Sequence, residues 1–385
     1  MPFVALANDF TNQGILNDSV DLAAQKEIIE NKNLASLRAI SEVNLTNNFK
    51  ATKKDDEIND FKGAARVFTN VKIFKDLNFS ALFNAERVND ENYQNDGSGR
   101  YFERIGAYAQ EINLNYHQKE YSLIAGKFNL NFGNAWRWDR GIWIHQIADG
   151  YRQNEKLGFA AVYRLGDAQT TGQYNFSLSA FTNDRKNFDN SIIHNRQSPS
   201  KSDAKAGDTR SLSSINVGLN INFDFGEDEK LNYNFSYLRQ AVNRHASQVA
   251  SNKIDDEDDF VAGINYLYPL NQNLKIDFLT EYSELKNVGG NSDVTERYGT
   301  YLLKTYYRKN WNFLAGYSAI SRKITNLSGF DQNISEASIG YDFNKTCLFD
   351  RLTIQSGIKR LFTNNANASE TISGVGFLIR YYKYF

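Results

Sequence analysis

Apolar and polar residues alternate strictly over long stretches of this chain. Ile215-Asn-Val217-Gly-Leu219-Asn-Ile221-Asn-Phe223 puts aliphatic or aromatic residues at odd positions and Asn or Gly at even ones. After the polar segment 224–230 the pattern returns as Leu231-Asn-Tyr233-Asn-Phe235-Ser-Tyr237. A period of two is the signature of a strand with one oily face and one wet face. The same rhythm predicts a strand from Ala35 to about Thr46, then a return carrying Ala65, Val67, Thr69, Val71 and Ile73. A tight turn over Phe74 to Leu77 follows, and the next strand shows Leu77, Phe79, Ala81 and Phe83.

Two classes of connection alternate along the chain. Tight turns are expected near 117–120, 166–173, 224–230, 270–273, 308–310 and 344–350. Long loops are expected near 47–61, 89–99, 133–153, 185–210, 244–258, 286–296, 324–333 and 364–370. The count is about sixteen strands of roughly 10 to 14 residues, and the boundaries also admit about fourteen or eighteen. Aromatic residues cluster beside the tight turns: Tyr116 and Tyr121, Tyr163 and Tyr174, Phe223 and Tyr233, Tyr266 and Tyr268, Tyr307 and Trp311, Tyr341 and Phe343. Rings placed at one rim are expected at the headgroup level of a bilayer, where the ring is half buried and its polar tip stays wet. The expected fold is therefore all-β, a closed antiparallel transmembrane β-barrel spanning residues 34–385. Closure is demanded because an open sheet edge in lipid leaves a row of unpaired backbone groups.

Composition agrees. Mean hydropathy is -0.56, and no apolar run approaches the roughly 18 residues of a spanning helix. Proline is confined to three positions, as long hydrogen-bonded ladders require. The single Cys347 forms no intramolecular disulfide and no metal-type cysteine spacing exists. A net charge of -1 gives no electrostatic footprint for nucleic acid. Residues 1–7 read as a remnant of a signal peptide, with small residues at Ala5 and Ala7, or as a chance Ala-x-Ala. Residues 8–33 lack alternation and form an N-terminal extension with a short helix around Leu22 to Glu30.

Inward-facing candidates on the strands are Arg38, Glu42, Arg66, Arg164, Lys275, Asp277, Glu281, Lys304, Lys359 and Arg380. At this strand number they would line an aqueous lumen. One connection is unlike the others: Asn131-Phe-Gly-Asn-Ala-Trp136-Arg-Trp138-Asp-Arg140-Gly-Ile-Trp143-Ile-His145-Gln-Ile-Ala-Asp149-Gly-Tyr151-Arg152. It holds three of the four Trp, and so apolar a segment normally finds a partner. The expectation is that it folds inward and packs its rings on the wall. Capping of neighbouring loops or a subunit contact is the alternative.

The segment Leu123-Ile-Ala-Gly126-Lys-Phe128-Asn-Leu-Asn-Phe132-Gly resembles the AGKF…FG stretch of porin-like outer-membrane proteins. The closing strand, with Phe377, Ile379, Tyr381 and a terminal Phe385, resembles the signal by which barrels are recognised and inserted; Lys383 departs from its alternation. By architecture the chain resembles the Gram-negative porins over roughly residues 34–385. That resemblance implies a bacterial outer-membrane channel for small hydrophilic solutes and ions, narrowed by its third outer loop. It further implies homotrimers, lipid and lipopolysaccharide around the barrel, and the barrel-assembly machinery as a partner. Carried onto this loop, the constriction candidates are Arg137, Asp139, Arg140, Asp149 and Arg152. Three Arg against two Asp suggest a weak anion preference.

Other classes fit less well. His117, His145, His194 and His245 are widely separated, and neither a Gly-x-Ser-x-Gly elbow nor a metal-type His pair is present, so no catalytic residues are assigned and no cofactor is expected. An adhesin or receptor would use the loop at 185–210, which reads as solvated, with Ser198-Pro-Ser-Lys-Ser-Asp. The acidic run Asp255 to Asp259 is either a solvated rim or a site for divalent cations or bridged lipopolysaccharide. An oxyanion-selective channel, with Arg and Lys along the lumen as a ladder, is the runner-up.

Overall fold

The protein's structure, a computed structural model, describes residues 34–385 except 89–96, 138, 185–190, 194–205, 210, 227, 244–253, 326, 344–347 and 366–367. The signal remnant at 1–7, the extension at 8–33, Trp138, the polar stretch 198–205, His194, His245 and Cys347 lie outside the described residues.

In chain order the strands are β1 (Ala35–Ala51), β2 (Asn59–Lys72), β3 (Leu77–Arg87), β4 (Arg100–Tyr101), β5 (Ile105–His117), β6 (Tyr121–Phe128), β7 (Lys156–Asp167), β8 (Gly172–Asn183) and β9 (Ser214–Gly226). They continue as β10 (Glu229–Gln240), β11 (Glu257–Asn271), β12 (Leu274–Lys286), β13 (Val294–Tyr307), β14 (Trp311–Ile324), β15 (Leu327–Phe343), β16 (Arg351–Asn365) and β17 (Ala368–Tyr384). The two-residue β4 lies parallel to the outer end of β2, pairing Asp60 with Arg100 and Phe61 with Tyr101. The sixteen others form an antiparallel sheet that closes on itself, because β1 pairs with β2 on one side and with β17 on the other. Closure runs from Arg38 opposite Tyr384 to Ala51 opposite Ile372, and Phe385 N donates to Leu37 O at 2.8 Å. An open edge would leave each of these groups costing several kcal/mol in hydrocarbon.

Side chains alternate as the sequence pattern requires. On β12, Asp277, Leu279, Glu281 and Ser283 are buried inward, while Phe278 and Tyr282 are exposed outward. On β13, Glu296, Tyr298, Thr300 and Leu302 face in, and Tyr301 and Leu303 face out. A soluble sandwich would bury these outward rings against a second sheet; here they form an exposed apolar band around the barrel. The aromatic rim is present: Tyr116 and Tyr121 lie 6.1 Å apart, Tyr266 and Tyr268 5.7 Å, Trp311 and Tyr341 5.0 Å, and Tyr341 and Phe343 4.8 Å between ring centroids. Pro269 sits where the β11–β12 ladder shifts register, a position that needs no ladder donor.

Two expected long loops are strands instead. Residues 327–333 belong to β15, and 364–365 and 368–370 belong to β16 and β17. Outward positions there are polar, such as Asp331, Asn333 and Ser369, so the alternation fades while the backbone ladder continues. The acidic run divides: Asp255 is exposed at the rim and Asp258 is half-buried. Glu257 and Asp259 open β11 facing inward and are buried, and Asp256 accepts from Arg239 Nη2 at 2.8 Å.

Candidate constriction in the barrel lumen

The connection between β6 and β7, residues 129–155, is drawn into the barrel. Its neck is closed by Leu130 N donating to Gln153 O at 2.9 Å and by Glu155 N donating to Asn129 Oδ1 at 3.1 Å. Lys127, fully buried, pairs with Glu155 at 2.7 Å and with Asp184 at 2.9 Å, fastening both stems of the loop to the end of β8. Beyond the neck the chain crosses to the far wall.

Two inward carboxylates receive it there. Glu281 on β12 accepts from the backbone N–H of Asn134 at 2.7 Å and of Ala135 at 2.8 Å, from the Tyr151 hydroxyl, and from Asn234 Nδ2 at 3.1 Å. Glu336 on β15 accepts from the N–H groups of Ile142, Trp143 and Ile144 at 2.8, 2.7 and 2.9 Å, and from the Ser338 hydroxyl at 3.0 Å. Successive N–H groups converging on one anion form a concave nest, and here each nest follows a glycine. Gly133 has φ of 74° and Gly141 φ of 101°. A Cβ at either would lie 2.8 Å from the carboxylate oxygen the nest binds.

Apolar packing completes the hold. Phe132, Ala135, Ile142, Trp143, Ile144, Ile147 and Tyr151 form one buried cluster with the inward residues Leu279, Leu302, Leu314, Ile334 and Leu378. The short helix α1 (His145–Ala148) rests on β13 and β14. Tyr151 meets Tyr298 edge to face at 5.1 Å. Trp143 Nε1 donates to Thr46 Oγ1 on β1 at 3.0 Å, and Lys359 lies 5.4 Å from the Trp143 ring centroid. The loop therefore packs along an arc of wall that runs from β12 through β17 to β1.

The expected constriction residues divide. Arg137 pairs with Asp139 at 3.2 Å, and Arg152 pairs with Asp149 at 3.5 Å while lying over the Trp136 ring at 4.6 Å. These four keep part of their surface open to the lumen. Arg140 does not: it is 2% exposed and reaches into the wall, 3.4 Å from Asp277 and 3.3 Å from Asn265 Oδ1. The loop thus offers two cations and two anions to the gap, and the surplus of one Arg read from the sequence is absent. Burial raises the Asp139 carboxyl, but Arg137, Arg140, Lys304 and Arg380 outweigh it and hold the group below the ordinary carboxylate range. Burial holds the His145 imidazole below its usual value against the pull of Glu42 and Asp149.

All ten wall candidates face inward, in different places. Arg380 pairs with Glu42 at 2.8 Å and Arg66 with Glu86 at 3.4 Å, beside the loop's charged side. Arg38 lies over the Phe68 ring at 4.2 Å, and Lys304 over Tyr306 at 5.0 Å. Lys304 and Lys359 make no ion pair among the described residues. Arg164 and Lys275 are inward but sit at the short-turn rim, bound to Ser122 Oγ at 2.9 Å and to Asp228 respectively. Asp277 and Glu281 bind the loop rather than water in the gap. Glu336, Glu86 and Thr46 escaped the sequence reading, as did Asp60, which accepts from Arg87 at 2.7 Å and Arg100 at 3.0 Å near the outer end of β2. Inward parity was the signal that could have found the even-numbered ones on their strands.

No protein-family model matches the sequence, and no curated relative matches it. Solved structures match the fold. The outer-membrane channel DcaP of Acinetobacter baumannii aligns with a TM-score of 0.54 at 11% identity, covering 91% of this chain and 97% of that one. OmpF of Salmonella typhi, in complex with daunomycin, aligns at 0.52 and 14% identity, covering 91% and 97%. The trimer form of OmpT, an outer membrane protein of Vibrio cholerae, aligns at 0.51 and 12% identity, covering 91% and 99%. The chain has the sixteen-stranded barrel fold of these outer-membrane proteins.

Proposed function

We propose that the protein is a porin of the bacterial outer membrane, a passive channel for small hydrophilic solutes and ions. The observation that carries this reading is the loop pinned inside the lumen by Glu281 and Glu336. A barrel of this strand number is wide enough for water, and a loop fixed across it narrows the path without closing it. The fold shared with DcaP and OmpF supports the same reading. Such a pore needs no bond-making residue: selectivity follows from diameter, from the charges at the narrowest point and from the groups lining it.

Charge at the constriction is set by Arg137, Asp139, Asp149 and Arg152 on the loop and by Glu42, Arg66, Glu86 and Arg380 on the wall, all in opposite-sign pairs. Net preference then falls to Lys304 and Lys359, which gives a weak lean toward anions. The same two lysines are the observation that favours the second reading, an oxyanion-selective channel; block of the current by micromolar phosphate or sulfate would support it.

The outward apolar band suits outer-membrane lipid and lipopolysaccharide. Phe377 and Ile379 face outward on the closing strand, where the assembly machinery would read them with Tyr381 and Phe385. The trimer form of OmpT motivates a homotrimer, which the detergent-corrected mass of the native particle tests. Planar-bilayer recording of the refolded chain tests the channel. Stepwise ohmic openings are expected, and deletion of residues 136–148 is expected to raise the step size while the barrel keeps its heat-modifiable mobility. A folded barrel without conductance would end the porin reading.

A further inference from the structure

Near the short-turn rim, cations and rings converge on one arc of the lumen wall. Lys304 and Tyr306 share the inward face of β13, and the ammonium lies 5.0 Å from the ring centroid. Arg351 on β16 stands directly opposite Tyr382 on β17 in the ladder, its guanidinium 5.4 Å from that ring centroid. Asp342 on β15 accepts from Arg351 at 3.2 Å, from Asn312 Nδ2 at 3.2 Å and from the Thr353 hydroxyl. Tyr382 is seated on Ile40, Phe68 and Leu82. Arg351 lies within electrostatic reach of both tyrosyl hydroxyls, so the two rings belong to one cluster. Lys304, Tyr306, Asp342, Arg351 and Tyr382 are all half-buried, which leaves each of them a surface toward the lumen.

The ion pairs on this arc leave one cation over. Arg351 is matched by Asp342, Arg380 by Glu42 and Arg137 by Asp139. Lys304 makes neither an ion pair nor a hydrogen bond among the described residues, and the Tyr306 hydroxyl makes no hydrogen bond among them. The inward faces of β9 and β10 are different: Asn216, Asn220, Asn222, Asn232 and Asn234 stand there without a ring or a charge between them. A sugar or an amide is served by such carboxamides, and nothing in it calls for tyrosines beside a lysine.

We propose that the arc formed by Lys304, Tyr306, Arg351 and Tyr382 is a binding site for aromatic carboxylates of about the size of benzoate. The carboxylate pairs with Lys304, and the ring lies against Tyr306 with Arg351 and Tyr382 as its further border. The inference rests on the channel reading of the lumen and gives that channel a substrate class. An inorganic oxyanion would engage Lys304 and leave the rings idle; a neutral aromatic would engage the rings and leave the ammonium idle. Only a solute with both parts uses the whole cluster, since aromatic pairs and ring–cation contacts each add to the pairing of opposite charges.

The test is block of the ionic current of the full chain by benzoate. Cyclohexanecarboxylate supplies the same charge without a π face, and benzyl alcohol the ring without a charge. In the parent channel benzoate is expected to block saturably and about fivefold more tightly than cyclohexanecarboxylate, the factor a single aromatic contact gives. Benzyl alcohol is expected not to block. Tyr306→Leu is expected to bring the two carboxylates to equal affinity, and Tyr306→Phe to keep the preference. Lys304→Met is expected to weaken both carboxylates by a common factor. Tyr382→Leu serves from the other strand if Tyr306→Leu does not fold, and is expected to lower the preference. Equal block by the two carboxylates in the parent, or an undiminished preference in folded Tyr306→Leu and Tyr382→Leu, would overturn the assignment. So would a block by benzoate that is indifferent to Lys304→Met. If the parent barrel folds but does not conduct, the porin reading fails by itself. Saturation-transfer NMR of benzoate on the refolded barrel and the same variants then still decides whether the site exists.

Discussion

Trp143 donates its indole N–H to Oγ1 of Thr46 at 3.0 Å, joining the tip of an inward loop to the strand that closes the barrel. Thr46 stands directly opposite Gly376 in the β1–β17 ladder. One member of that cross-strand pair supplies the acceptor and the other supplies the room, since a Cβ at residue 376 would lie 2.2 Å from the indole. The seat is specific to a large ring with a donor at its edge. It explains how a loop this apolar is accommodated in a water-facing interior: its rings are buried against the wall, and its charged side chains are left toward the gap.

Gly376→Ala is therefore expected to displace Trp143. Overpacking of a buried site costs about 1–3 kcal/mol, which a lowered urea midpoint of the folded band on gels would register. Trp143→Phe keeps most of the packing and loses the hydrogen bond, a smaller loss of about 1 kcal/mol. An order of effects in which Trp143→Phe is the more harmful would show that the bond, rather than the space above Gly376, fixes the ring.

Arg140 separates charge from selectivity. Its guanidinium is buried against Asp277 and Asn265. Removing one partner of a buried pair costs roughly 3–5 kcal/mol, because the other charge stays behind. Asp277→Asn is expected to lower stability strongly while the reversal potential stays at its parent value. Arg152→Ala, which frees Asp149 at the loop's exposed side, is expected to do the opposite: little loss of stability and a shift toward cations. Matching selectivity changes in the two variants would place Arg140 back in the water-filled gap.

Much of this was legible in the sequence because the barrel's physics is local. Alternation at Ile215–Phe223 fixes which side chains face out of the barrel, and rings beside tight turns mark a rim. The Trp-rich segment 131–152 announces its own burial. What stayed hidden is long-range. Glu336 reads as one more inward polar residue in Asn333-Ile-Ser-Glu-Ala, and nothing near it indicates that N–H groups about 190 residues earlier would converge on it. The fate of Arg140 was hidden for the same reason: a count of loop charges cannot tell an arginine that turns into the wall from one that faces water. Polar outward residues such as Asp331 and Asn333 concealed the upper ends of β15 to β17, because the alternation that betrays a strand exists only where one face meets lipid.

The lysines supply the next expectation. Lys304 and Lys359 lie over Tyr306 and Trp143 and form no ion pair among the described residues. Lys304→Glu and Lys359→Glu are each expected to move the reversal potential toward cation preference. Their strands are separate and they share no partner, so the double change should shift it by about the sum of the two. The shifts should shrink in molar salt, where the screening length falls to about 3 Å. Unchanged potentials in both variants at low salt would transfer the preference to the paired arginines.

Acidity gives a final expectation. His145 opens α1 beside the charged gap, and burial keeps its imidazole below the ordinary value of 6.5. Asp139 is held ionised by the arginines around it. Neither group then changes charge as the pH falls through 6.5, so ion preference should stay level across that value rather than step toward anions. The sign for stability follows from linkage. A histidine whose folded pKa is depressed contributes stability that is fully present above the unfolded value and is lost as the pH falls toward and through the folded one. The loop should accordingly begin to loosen as the pH falls below 6.5 and go on loosening down to the depressed folded value, seen as faster labelling of a tip thiol, and His145→Asn should remove that component of the loss. A step in reversal potential centred near pH 6.5 in the parent channel, absent from His145→Asn, would mean that the imidazole is hydrated and titrates in the pore.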